Sequence, residues 1–232
     1  MSKRSTRAVI LLPGAVNFEA VISMFGDWFQ DAMVIAVDKG VDKAEALLTL
    51  NKVNKAREVA VDFWVGDFDS SEKLEISPTL YREKVGYPVE KDEIDTELAI
   101  SLAREQEIDQ FLLLGGVGGR LDHQAALLFL PLQYPHTTFI HTDGIETLHF
   151  IEPGRDYRFT PPLGTTVSLI ALRDLRGVNL SGVKWPLVQY NLAVGSGLTY
   201  SNEVVTENGI NLSIREGEAW LYLLSENSKR SL

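Results

Sequence analysis

Up to about His141, short apolar runs recur with room for a helix between them: residues 8–12, 33–37, 59–65, 111–114 and 138–140, with a weaker run at 87–89. A strand buried on both faces has no reason to alternate, so continuous apolar runs spaced by helical patterns predict a parallel sheet with helical crossovers. Between the first two runs, Phe18, Val21, Ile22, Phe25 and Phe29 keep the three-and-four spacing of one buried helix face, and Asn17 stands where an N-cap belongs. Further helices are predicted over residues 42–50, 94–104 and 121–129. Past His141 the pattern changes to alternation over 146–151, 165–172, 199–205, 210–214 and 219–224. Glycines such as Gly154, Gly164, Gly182, Gly195, Gly209 and Gly217 punctuate it, and no helix longer than two turns fits. The pattern therefore predicts two domains. Residues 1–142 form a doubly wound, mostly parallel α/β domain, and residues 143–232 an antiparallel β-sandwich or barrel.

Composition narrows the function classes. Among 232 residues, 45% are hydrophobic, enough for an ordinary globular core. The 32 acidic against 22 basic residues give a formal charge of -10, which repels phosphate backbones and argues against nucleic acid as a partner. A polyphosphate ligand would then need a metal ion to neutralise it. No cysteine occurs, so disulfides, thiolate metal sites and cysteine nucleophiles are excluded. The first apolar run is broken by Pro13 and Gly14 and is too short for a signal or membrane helix, so a cytoplasmic protein without a membrane partner is expected.

In an open parallel sheet, ligands bind beyond the carboxyl ends of the strands. Here those ends carry Asp38, then Gly66-Asp67-Phe68-Asp69-Ser70, then Lys91-Asp92 and Asp95-Thr96, then Gly115 through His123. Two carboxylates one residue apart can offer hard oxygen ligands to a small cation. Alone, Asp67-x-Asp69 would read as a solvated turn; with the other acids on the same rim it reads as a metal site. Asp95 or Thr96 near a helix start would place an oxygen and the positive end of the helix dipole at a phosphate or metal, and Lys91 could pair with a phosphate or lie exposed. Gly115-Gly116-Val117-Gly118-Gly119-Arg120-Leu121-Asp122-His123 is the most specific segment. Glycines such as Gly116 and Gly119 let backbone approach a phosphate, Arg120 can fork onto its oxygens, Asp122 could join the metal, and His123 could take a proton or orient its neighbours. Neither a P-loop nor a Rossmann glycine fingerprint is present.

At these residues the chain resembles the thiamin pyrophosphokinase family. The likeness runs through Val37–Gly40, Gly66–Ser70, Lys91–Ala99 and Gly115–His123 into Lys184-Trp185-Pro186-Leu187, Gly195-Ser196-Gly197, Ser201-Asn202-Glu203 and Glu218-Ala219-Trp220. The resemblance implies Mg2+-dependent transfer of pyrophosphate from ATP to the hydroxyl of thiamin, giving thiamin diphosphate and AMP, in a homodimer with active sites at the subunit interface. It further implies Asp67, Asp69 and Asp95 as metal carboxylates, Asp38, Thr96, Arg120 and Asp122 near phosphate or metal, and Ser201, Asn202 and Trp220 on the thiamin side. A permanent cation suits an aromatic face such as Trp220, although on pattern alone that residue would be a core aromatic. Ile94 departs from the family, which often has threonine there. Two rival readings remain: an aspartyl-nucleophile phosphatase using the Asp67 loop, which leaves Gly115–His123 unexplained, and a non-catalytic nucleotide- or thiamin-binding module.

Overall fold

The computed structural model describes residues 6–54, 59–68, 75–88, 90, 93–117 and 120–224, and the chain divides between Gly144 and Ile145 into two units. In the first unit the order is β1 (Arg7–Leu11), α1 (Phe18–Phe25), α2 (Trp28–Asp31), β2 (Met33–Val37), α3 (Ala44–Asn54), β3 (Val61–Gly66), β4 (Tyr81–Gly86), α4 (Asp95–Arg104), β5 (Gln110–Leu114), α5 (Leu121–Phe129) and β6 (Thr138–Thr142). Its strands lie in the order β6-β5-β1-β2-β3-β4, and every neighbouring pair is parallel. The chain leaves β1 toward one edge and returns to its other side at β5, which makes the β1/β5 seam the switch point where such sheets bind ligands.

Both faces of this sheet are covered, as the continuous apolar runs require. Val9, Leu11, Val34 and Ala36 pack with Val21, Phe29 and Leu47 of the helices on one side. On α4, Ala99, Ile100 and Ala103 are buried, and that helix packs against β1, β2 and β3. Asn17 caps α1 as expected, its side-chain oxygen accepting the Ala20 N–H at 3.2 Å. The helix predicted through Phe29 is nevertheless two helices, broken at Gly26 and Asp27, where glycine weakens a helix interior. Of the strand expected at residues 87–89, Val89 lies outside the described residues and Tyr87 and Pro88 are not in a strand; β4 precedes them, and its sequence, Tyr-Arg-Glu-Lys-Val-Gly, is too polar to stand out because it forms the sheet edge.

The second unit contains β7 (Glu146–Ile151), β8 (Asp156–Phe159), β9 (Thr166–Ala171), β10 (Leu175–Ser181), β11 (Leu187–Leu192), β12 (Asn202–Glu203), β13 (Ile210–Ser213) and β14 (Ala219–Leu224). Antiparallel sheets β12-β9-β14-β7 and β11-β10-β13-β8 enclose a core of alternating residues, among them Val167, Leu169, Ala219 and Leu221 on one side and Val178, Leu180, Ile210 and Leu212 on the other. This is the predicted sandwich. The strand expected over 199–205 shrinks to two residues, preceded by a turn in which Ser201 takes a φ of 58°. Among the described residues no helix is long and apolar enough to cross a membrane.

Candidate functional site

The carboxyl ends of β2 and β3 and the start of α4 bring three acids together. Asp38 follows β2 directly and opens a 3-10 turn with a φ of 46°. Asp67 follows β3, and Asp95 is the first residue of α4. All three are partly buried, and one carboxylate oxygen from each lies within 4.8 Å of the others. Residue 66 must be glycine for this geometry, since a Cβ there would run into the Asp38 carboxylate. Three carboxylates so close repel one another, and an all-oxygen donor set of this charge fits a hard divalent cation such as magnesium. The positive end of the α4 dipole points into the same place. Asp38, expected near the metal, thus belongs to the carboxylate cluster itself. A left-handed turn that swings a side chain toward the next strand has no signature in one-dimensional spacing. Asp69 lies outside the described residues, as do Lys91 and Gly119. Thr96, next to Asp95, is buried in the fold.

The glycine-rich segment is tied into the switch point. The N–H of Gly115 bonds the Thr142 carbonyl at 3.1 Å and that of Gly116 bonds the Pro13 carbonyl at 2.7 Å, which joins the ends of β1, β5 and β6. At Gly116 (φ 73°), a Cβ would crowd Leu127 and Leu12, so this glycine serves packing and turn geometry, and its amide is engaged by the fold. His141 of β6, buried, contacts the Gly115 carbonyl through Nε2, and desolvation lowers its pKa. Arg120 stands at the N-cap position of α5 without a side-chain capping bond and forks onto Asp122, Nε to Oδ1 at 3.1 Å and Nη2 to Oδ2 at 2.6 Å. That contact holds the Asp122 carboxyl below its ordinary range. Asp122 also accepts the His123 backbone N–H at 3.0 Å, and the His123 side chain is exposed. Arg120, Asp122 and His123 form a group of their own, and Asp122 is not part of the three-acid cluster.

Within the second unit, the residues expected near thiamin have different surroundings. Ser201 is exposed, its N–H given to Ser168 Oγ at 3.0 Å. Asn202 is buried and bonded to backbone. Trp220 has 0% exposure and meets Phe150 edge-on at 5.5 Å. Bonded to Asn202 through its backbone is an open aromatic, Trp185, 56% exposed, with the Lys184 ammonium 4.9 Å from its ring centre.

Comparison with known proteins matches both halves in order. The family model for the thiamin pyrophosphokinase catalytic domain covers residues 27–141, and that for the thiamin pyrophosphokinase vitamin B1 binding domain covers residues 149–217. Thiamine pyrophosphokinase of Bacillus subtilis (strain 168) is 30% identical in an alignment of 154 positions that covers 62% of this chain and 70% of that protein. The crystal structure of thiamin pyrophosphokinase from Geobacillus thermodenitrificans has a TM-score of 0.69 at 27% identity, over 96% of this chain and 98% of its own. That from Candida albicans has a TM-score of 0.72 at 14% identity, over 96% of this chain and 90% of its own, a likeness of fold. Asp38, Asp67 and Asp95 all lie inside the first match, the second match spans most of the sandwich, and the chain belongs to the thiamin pyrophosphokinase family.

Proposed function

We propose that the thiamin pyrophosphokinase activity of this chain uses a magnesium ion held by Asp38, Asp67 and Asp95, with ATP as donor and thiamin as acceptor. The observation that carries this reading is the convergence of three carboxylates from three segments to within 4.8 Å at the rim of a parallel sheet. On the resemblance, Asp69 adds a fourth oxygen donor. When bound, the metal would supply charge neutralisation and orientation for the polyphosphate oxygens.

The remaining work falls to the chain. The start of α4 offers its dipole to the same oxygens, and Arg120 exchanges its exposed contact with Asp122 for phosphate. The thiamin hydroxyl oxygen forms a bond to the β-phosphorus as the bond to the α-phosphate oxygen breaks. AMP leaves, and the hydroxyl proton passes to a carboxylate of the rim. Ser201 and an aromatic ring of the second unit hold the acceptor. A homodimer is supported by the exposed apolar side chains Val188, Tyr190, Val194, Leu198 and Tyr200 on that unit.

Chromatography of a reaction with ATP, thiamin and Mg2+ tests the reading. Thiamin diphosphate and AMP in equal amounts are expected, with negligible hydrolysis of an aryl phosphate. Release of ADP or inorganic phosphate, or binding without turnover, would overturn it. Asp67→Asn is expected to lower turnover at least about a hundredfold, as loss of one preorganised charge contact to a transferring group does.

A further inference from the structure

Two backbone positions of the acidic cluster are left-handed although neither is glycine. Asp38 has a φ of 46°, and Phe68, which follows Asp67, has a φ of 61°. Aspartate tolerates that region better than most residues, whereas a bulky phenylalanine does not, so the packing around Phe68 must hold it there. The same residue touches both positions. Trp64, on β3 and only 3% exposed, donates its indole Nε1–H to the Asp38 carbonyl at 2.9 Å. Its ring meets Phe68 edge-on at 5.0 Å and Tyr81 of β4 edge-on at 5.3 Å. The Lys84 ammonium, on the exposed edge strand β4, stands 4.4 Å from the Trp64 ring centre and 3.9 Å from that of Phe68, closing the stack from outside.

We infer that Trp64 is a positioning residue for the metal carboxylates: its N–H fixes the turn that aims Asp38, and its ring, with Lys84, fixes Phe68 and so the carboxylate of Asp67. An apolar side chain of similar size would fill the core equally well, but it would leave the Asp38 carbonyl without this donor. Outer partners that orient metal ligands typically contribute about 10- to 100-fold in metal affinity. The inference rests on the reading of Asp38, Asp67 and Asp95 as a metal site.

Titration of Mn2+ into the nucleotide-free protein, followed by calorimetry or by the resonance signal of unbound Mn2+, tests it apart from turnover. Trp64→Phe keeps a ring against Phe68 and removes the N–H, and is expected to weaken Mn2+ binding about tenfold. Its half-saturation for Mg2+ in turnover should rise while that for thiamin stays unchanged. Asp67→Asn, in the same series, should lose Mn2+ binding. If Asp67→Asn binds Mn2+ as the unsubstituted protein does, the metal-site reading itself fails. If Asp67→Asn loses binding but Trp64→Phe retains full affinity, the role of Trp64 alone is overturned. Should Trp64→Phe not fold, Lys84→Met carries the test from an exposed position, and unchanged Mn2+ affinity there overturns the inference.

Discussion

The side-chain amide of Asn202 accepts the N–H of Trp185 at 3.1 Å and that of Glu203 at 2.9 Å, and it donates to the Trp185 carbonyl at 2.9 Å. It thereby clamps the segment that carries an exposed tryptophan, while its own polar atoms serve backbone. Trp220 sits between Phe150 and Ile170 in the β14 register and shows no surface. Strand periodicity places residues 219 and 221 in the sandwich core and sends Trp220 to the opposite face, but it does not say whether that face is open. The two tryptophans separate by experiment. Trp220→Ala should lower stability by about 3–5 kcal/mol, the range for deleting a buried large aromatic. Trp185→Ala should leave the melting temperature nearly unchanged and raise the half-saturation for thiamin several-fold with that for ATP constant, since a ring–cation contact is worth about 1–2 kcal/mol when partly desolvated. Unchanged thiamin half-saturation in Trp185→Ala would remove that ring from the acceptor contact.

At the scale of elements, α4 illustrates how a departure in sequence acts through a helix end. Ile94 is its N-cap with no side-chain bond to offer, and the Glu97 carboxylate accepts the Ile94 N–H at 2.9 Å, so half of a capping box is in place. The Glu97 N–H is already held by the Ile94 carbonyl at 2.9 Å, so Ile94→Thr would add a side-chain acceptor for the first turn of α4 and is expected to stabilise the protein by roughly 0.5 kcal/mol, read as a higher midpoint in urea. An unchanged midpoint would show that the Ile94 side chain contributes packing of equal worth. The buried strands β1, β2, β5 and β6 were legible because apolar runs covered on both faces have no alternative explanation. Strand β4 was not, because an edge strand keeps charged side chains, and neither were β10 and β11, where Gly177, Asn179 and Gln189 interrupt the alternation. The acids of the rim were legible as strand-end residues. Their grouping was legible only in part, since the turn that brings Asp38 to Asp67 depends on a contact from Trp64, 26 residues away in sequence.

At the scale of the whole molecule, the proposed metal carboxylates belong to the first unit and the proposed acceptor residues to the second. On the sandwich, Val188, Tyr190, Val194, Leu198 and Tyr200 are exposed apolar side chains, and a two-fold dimer would cover such side chains by self-complementarity. The resemblance places each active site where two subunits meet. One chain with a damaged metal half, Asp67→Asn, and one with a damaged acceptor half, Trp185→Lys, which removes the ring and sets a like charge against the cationic acceptor, should then complement each other at thiamin concentrations far below half-saturation. After subunit exchange about half of the dimers are mixed and each contains one intact site, so activity should recover to about a quarter of the unsubstituted level. Each variant alone should stay near zero, with sedimentation or light scattering confirming that it dimerises. Mixed dimers that form and remain inactive would mean that each chain completes its own site, and a fully active monomer would remove the interface from the mechanism altogether.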